Sequence, residues 1–153
     1  MDNHISVATL ASGCFWCIEA VYELIEGVSK VASGYTGGQT ESPSYEEVCS
    51  GDTGHAEAAE IHFDPSVISF RTILEIFFSY HDPTTLNRQG PNVGYQYRSE
   101  IFYSTDEEKK IAQKVLNEVN NKLDGKVVTK ISKEKNYCKA EEYHQKYFQK
   151  RNR

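Results

Sequence analysis

The stretch His55-Ala-Glu-Ala-Ala-Glu-Ile-His-Phe63 alternates with a period of two, which sends Glu57, Ala59, Ile61 and Phe63 to one side of a strand and Ala56, Ala58, Glu60 and His62 to the other. One face is wetter than the other, so the dry face needs an apolar layer against it, and the chain must build a sheet with something packed on one side. Glu57 stands out within this pattern. Its carboxyl shares the apolar face with Ile61 and Phe63, whereas Glu60 goes with the polar face.

The rest of the chain supplies further strands and the packing layer. Ile5 to Leu10, Val28 to Tyr35, Ser99 to Tyr103 and Val127 to Ile131 are β-prone runs. Helical spacing links Cys14, Cys17, Ile18, Val21, Leu24 and Ile25, with Ser12 or Gly13 as cap and Gly27 as stop. A second stripe runs through Phe70, Ile73, Leu74, Phe77 and Phe78. A third, Ile111 to Leu123, follows the capping-box pattern Thr105-Asp-Glu-Glu108, and a fourth comprises Ala140, Tyr143, His144, Tyr147 and Phe148. From Asp82 to Arg98 neither period holds, and so long a segment in a compact domain is expected to serve a site. This order predicts an α+β fold: a ferredoxin-like two-layer sandwich with a split βαβ core, a mixed β-sheet, packed helices and long active-site loops, spanning 1–153 as a single domain.

Composition narrows the function. A formal charge of -5 over 153 residues argues against a nucleic-acid surface, because phosphate binding draws on a concentrated positive field. The lysine-rich stretch from Lys126 to Arg153 reads as a solvated surface. Met1 to Ser6 carry neither a basic leader nor a long apolar run, so a cytoplasmic protein without a membrane span is expected. Four cysteines are too few for a disulfide scaffold and suggest thiol chemistry in a reducing compartment.

That chemistry concentrates at Gly13-Cys-Phe-Trp-Cys17. A cysteine in the first turn of a helix meets unpaired backbone N–H groups and the positive end of the helix dipole, and both favour the thiolate. Cys14 is therefore the candidate nucleophile. Phe15 and Trp16 cannot both lie on the buried stripe, so at least one should face an opening beside the sulfur, forming an apolar cup suited to a methyl or thioether group. Glu57, desolvated on its apolar face, should hold a proton near neutrality and could donate it to a developing oxyanion.

The motifs Gly13-Cys-Phe-Trp16, Gly34-Tyr-Thr-Gly-Gly38, Tyr45-Glu-Glu-Val-Cys-Ser-Gly-Asp-Thr-Gly-His-Ala-Glu57, His81-Asp-Pro83, Arg88-Gln-Gly90, Gln96-Tyr-Arg-Ser99 and Ala140-Glu-Glu-Tyr-His-Gln145 run in order along the chain. Together they resemble the A-type peptide methionine sulfoxide reductases over essentially its whole length. The resemblance implies that Cys14 attacks the sulfur of methionine S-sulfoxide, free or in proteins, and is left as a sulfenic acid. It makes Phe15 and Trp16 the pocket for the methyl group, and Glu57, Tyr45 and Tyr97 the groups that hydrogen-bond and protonate the oxygen. Asn92 occupies a substrate-binding position where the family often has aspartate. No metal or organic cofactor is implied. The external reductant would be thioredoxin, glutaredoxin with glutathione, or dithiothreitol, and a monomer is expected.

Many family members carry recycling cysteines in a glycine-rich tail, whereas this chain ends at Arg153 soon after its last helical stripe. The candidate resolving thiols are Cys17, one turn from Cys14 in a CxxC pair, and Cys138, beside the C-terminal motif; the alternative is that neither resolves the sulfenate and an external thiol such as glutathione or a glutaredoxin completes the cycle. Cys49 is expected to be buried. Two other readings compete: a thioredoxin-type disulfide oxidoreductase built on Cys14 and Cys17, and a zinc-stabilised binding module drawing on these cysteines with His55 or His144. Bulky aromatics inside the CxxC oppose the first, and the lack of a second compact ligand pair opposes the other. His55, His81 and His144 are expected to make ordinary hydrogen bonds.

Overall fold

The computed structural model describes residues 5–13, 15–38, 44–49, 53–134 and 137–141, with Cys49 and Lys139 described in their backbone alone. The chain runs β1 (Ser6–Ser12), α1 (Phe15–Tyr22), β2 (Val28–Thr36), α2 (Tyr45–Cys49), β3 (Ala56–Phe63), α3 (Phe70–Tyr80), the hairpin β4 (Arg88–Gln89) and β5 (Asn92–Val93), a 3-10 turn at Tyr95–Tyr97, β6 (Ser99–Tyr103), α4 (Asp106–Lys122), β7 (Lys130–Lys133) and β8 (Cys138–Lys139).

Six strands form one sheet in the order β7-β6-β1-β3-β2-β8. β3 pairs antiparallel with both β1 and β2, so those two run parallel with β3 inserted between them, which is the split βαβ arrangement. β6 is antiparallel to β1 and β8 to β2, while β7 lies parallel to β6 across the helical crossover α4, making the sheet mixed. The fold is the ferredoxin-like α+β sandwich read from the element order, with one added strand at each edge.

The alternation in β3 sets the layers. Ala59, Ile61 and Phe63 join Leu10, Val31, Tyr35 and Ile101 in one cluster with Phe15, Ile18 and Tyr22 of α1, Ile73, Leu74, Phe77 and Phe78 of α3, and Ala112 and Val115 of α4. Each large side chain buried here contributes roughly 1.5–3 kcal/mol. The opposite face holds a smaller cluster of Ala11, Ala56, Ala58 and Phe102. Helix starts follow their caps: Ser69 Oγ accepts from the Thr72 N–H, and Thr105 Oγ1 from the Glu108 N–H. Among the described residues no helix is long and apolar enough to cross a membrane.

Local differences from the sequence reading have local causes. α1 stops at Tyr22, leaving Leu24 86% exposed, and the chain turns at Gly27 with φ +96°. β7 begins at Lys130 rather than Val127 because the Val127 N–H goes to Asn120 Oδ1 and the Val128 N–H to the Pro83 carbonyl, not to a strand partner. The Asp82 to Arg98 segment contains a hairpin whose strands are two residues each, too short to show a period. β8 was not legible as a strand, and Ala140 and Glu141 following it are not helical. The remainder of the fourth stripe, Tyr143, His144, Tyr147 and Phe148, lies outside the described residues.

Candidate active site

At the end of β1 the chain turns at Gly13 with φ +100°, a left-handed conformation that glycine adopts without strain. A Cβ at Gly13 would lie 2.7 Å from Cβ and Cγ of Gln89, so the long loop packs directly on this turn. Gln89 is itself braced, its side-chain oxygen accepting the Asp82 N–H at 3.1 Å and its Nε2 donating to Thr85 Oγ1 at 3.2 Å. Cys14 lies outside the described residues; its sequence neighbours Gly13 and Phe15 bracket the passage from this turn into α1.

Glu57 meets that passage from the sheet. Its Cα partner on β2 is Tyr35, and the β1–β3 register, continued two residues past Leu10–Ala59, brings Ser12 to its other side. The Phe15 N–H donates to Glu57 Oε1 at 3.4 Å. The other oxygen, Oε2, is buried with no hydrogen-bond partner among the described residues, and the whole residue is 1% exposed. Burial pushes this carboxyl up from its ordinary 4.5 to about 8; the Phe15 N–H opposes the rise and the Cys17 thiol adds to it. At pH 7 the group is protonated by about ten to one, which makes it a proton donor at the head of α1.

An aromatic cup stands beside it. Phe15 is fully buried, with its ring centroid 5.6 Å from Tyr35 and 6.3 Å from Tyr45. Trp16 is half-buried, 6.2 Å from Phe15 and 6.4 Å from Tyr45. Phe15 thus forms the floor, and Trp16 with Tyr45 forms a rim that is open on one side, the division expected for consecutive aromatics on a helix. Tyr45 opens α2 inside a reciprocal capping box: Ser44 Oγ accepts the Glu47 N–H at 3.2 Å and Glu47 Oε1 accepts the Ser44 N–H at 2.9 Å.

The loop brings in two more predicted residues. Tyr97 ends the 3-10 turn, and Ser99 just after it pairs with Ser12, so Tyr97 reaches the same end of β1 as Gly13. Arg98 fixes this turn, donating to the Tyr95 carbonyl at 3.0 Å, to the Gly54 carbonyl at 3.0 Å and to Glu100 Oε1 at 2.6 Å. Asn92 is opposite Gln89 in the hairpin and so shares the face that packs on Gly13.

The candidate resolving thiols differ in placement. Cys17 is exposed in the first turn of α1. Cys138 is half-buried on β8, with Tyr35 as its Cα partner, so Tyr35 stands between it and Glu57 in one row across three strands. Two strand spacings put Cys138 about 10 Å from the Glu57 backbone. The Cys49 side chain lies outside the described residues.

His55 and His81 make ordinary hydrogen bonds. His55 Nδ1 accepts the Gly38 N–H at 3.2 Å. His81 Nδ1 donates to the Phe77 carbonyl and Nε2 accepts from Ser99 Oγ at 2.8 Å; burial lowers its pKa to about 4, so the ring is neutral. Among the described residues no group of three His, Cys, Asp or Glu is arranged to hold a metal ion. His144 lies outside them.

Tyr35 and Gln89 take part in this geometry although neither was assigned a role of its own from the sequence. Tyr35 could have been found from β2, where Val31, Ser33 and Tyr35 share a face by the same period of two that placed Glu57.

Comparison with known proteins gives a consistent picture. A family model described as peptide methionine sulfoxide reductase matches residues 6–153. A peptide methionine sulfoxide reductase MsrA from Pelagibacter ubique is 54% identical over 147 residues, covering 96% of this chain and all of the relative. The crystal structure of Mxr1 from Saccharomyces cerevisiae in reduced form superposes with a TM-score of 0.92 at 39% identity, covering 97% of this chain and 87% of that one. The same yeast protein in complex with Trx2 matches with a TM-score of 0.68 at 28% identity, covering 94% of this chain and 84% of that one.

Proposed function

The chain belongs to the A-type peptide methionine sulfoxide reductases, enzymes that reduce methionine S-sulfoxide with thiols, and on that premise we propose that Cys14 is the nucleophile and Glu57 the proton donor. The observation that carries this division of labour is the Glu57 carboxyl: buried, protonated at neutral pH, and bonded to the N–H of the residue that follows Cys14.

In the reaction, the substrate methyl group packs against Phe15 and Trp16 while Glu57, with Tyr45 and Tyr97, hydrogen-bonds the sulfoxide oxygen, and Asn92 contributes to substrate binding from the hairpin. Proton transfer to the oxygen makes the substrate sulfur electrophilic, and the Cys14 thiolate attacks it. The S–O bond breaks with net transfer of oxygen to Cys14: methionine leaves, reduced by two electrons, and Cys14 is oxidised to the sulfenic acid. A second thiol then forms a disulfide with Cys14 and releases water. Its exposure and its place three residues from Cys14 in the sequence favour Cys17 for this step, whereas Tyr35 stands between Cys138 and Glu57 in the sheet. The yeast relative's complex with Trx2 supports a thioredoxin-type dithiol as the final reductant, with glutaredoxin and glutathione as the alternative donors. The enzyme needs no metal or organic cofactor and works as a cytoplasmic monomer.

The test is incubation of a peptide carrying racemic methionine sulfoxide with dithiothreitol. Wild type should consume the S epimer alone, and Cys14→Ser should consume neither; turnover by Cys14→Ser would refute the assignment. Mass spectrometry after one turnover without reductant should show a Cys14–Cys17 disulfide. A Cys14–Cys138 disulfide would move the resolving role, and an unbridged sulfenate would remove it from both.

A further inference from the structure

Glu141 lies just past β8, in a motif that the reaction above leaves without a task. Both oxygens of its carboxylate accept hydrogen bonds: the Tyr35 hydroxyl donates to Oε1 at 2.9 Å and the Tyr45 N–H donates to Oε2 at 3.0 Å. These donors belong to different parts of the site. Tyr35 is fully buried in β2 and packs against Phe15, whereas Tyr45 heads α2 and faces both Phe15 and Trp16.

We propose that Glu141 is a positioning residue for the reductase step, tying the first amide of α2 to the Tyr35 hydroxyl and thereby holding the Tyr45 ring at the rim of the aromatic cup. The inference rests on the role proposed above for Tyr45. α2 has five residues, far short of what keeps a helix in place on its own. The Ser44–Glu47 capping box sets the backbone of its first turn but does not fix that turn relative to the sheet. Val48, fully buried in the main core, anchors the last turn of α2, and the carboxylate ties its first residue to β2. The carboxylate suits the task because it accepts on both oxygens and donates nothing; a glutamine of the same shape would turn an NH2 group toward one of the two donors. Glu141 does not reach the substrate in this reading, and its effect passes through the placement of Tyr45.

The experiment is a single-turnover measurement of methionine release from an S-sulfoxide peptide without added reductant, so that recycling through any second thiol does not enter the rate. Wild type, Glu141→Gln, Glu141→Ala, Tyr45→Phe and the two double variants are compared, with a thermal melt of each. Glu141→Gln should melt close to wild type yet lose about tenfold or more in the saturating rate, with the half-saturating peptide concentration changed by less than about threefold, the signature of a misplaced group acting in the transition state. In the Tyr45→Phe background the Glu141 substitutions should cost no more than about a further twofold, because both changes disable one device. Losses that multiply in full would overturn the inference, as would a wild-type rate for Glu141→Gln beside a slow Tyr45→Phe. A wild-type rate for Tyr45→Phe would instead bring down the Tyr45 role, and the Glu141 inference with it. Should Glu141→Ala fail to fold, the glutamine variants decide.

Discussion

Replacing Glu57 by glutamine should remove the proton donor and, at the same time, stabilise the protein increasingly as pH rises. The folded carboxyl titrates at about 8 and the unfolded one near its ordinary 4.5, because burial penalises the charged form. Between those values the folded state binds more protons than the unfolded state, so stability is full below 4.5 and is lost as pH rises through 8. Integrated over that window, the loss is about 1 kcal/mol at pH 5, about 3 kcal/mol at pH 7 and about 5 kcal/mol at pH 9. Glutamine has no proton to lose, so the stability gap between Glu57→Gln and wild type should widen by about 4 kcal/mol from pH 5 to pH 9, whatever constant offset the amide introduces. At roughly 2–4 °C per kcal/mol for a chain of this size, the difference in melting temperature should grow by roughly 8–16 °C. Thermal unfolding followed by circular dichroism at pH 5, 7 and 9 measures it. A gap that stays flat across this range would mean that Glu57 titrates as an ordinary carboxylate and cannot serve as the acid near neutrality.

Gly13→Ala should cost about 1–3 kcal/mol for a left-handed alanine alone, and more for the collision with Cβ and Cγ of Gln89; Gln89→Ala keeps its Cβ, so it should recover only the Cγ part of that collision, as melting temperatures would show. Arg98→Met should destabilise by about 3–5 kcal/mol because it leaves the buried Glu100 carboxylate without its cation, and adding Glu100→Leu should restore much of that loss in urea unfolding. His81 contributes in the opposite pH direction from Glu57. Its folded pKa of about 4 lies below the ordinary 6.5, so the unfolded chain takes up the proton first and stability falls as pH drops from 6.5 toward 4; unfolding curves at pH 7 and pH 5 should show a smaller acid loss in His81→Gln than in wild type.

What was legible in the sequence was whatever a short period could carry. The two-residue alternation placed Glu57 with Ile61 and Phe63 on the buried face, and the order of strands and helices led to the ferredoxin-like sheet. The aromatic pair Phe15 and Trp16 divided as geometry requires, one buried and one half-open. Contacts between distant segments left no such trace. Glu141 meets Tyr45 across 96 residues and Tyr35 across 106, and no local pattern announces either bond. β8 escaped because two residues cannot display a period and because its partner site on β2 exists only where Gly34 leaves room for the Tyr137 ring. α2 was detectable in principle, since Ser44 and Glu47 stand at capping-box spacing, but its five residues carry no apolar stripe to reinforce the signal. β7 slipped by three residues at its start because helix and loop groups capture the amides of Val127 and Val128, a tertiary event that β-propensity does not report.

The pairing of a nucleophilic Cys14 with a protonated Glu57 is open to one decisive kinetic measurement: the pH dependence of single-turnover methionine release from an S-sulfoxide peptide. The rate should rise with ionisation of the Cys14 thiol and fall again as Glu57 loses its proton at about 8. Glu57→Gln should be slower throughout and should lack the alkaline fall. An alkaline fall that persists unchanged in Glu57→Gln, or a wild-type rate in that variant, would contradict the assignment of Glu57 as the acid.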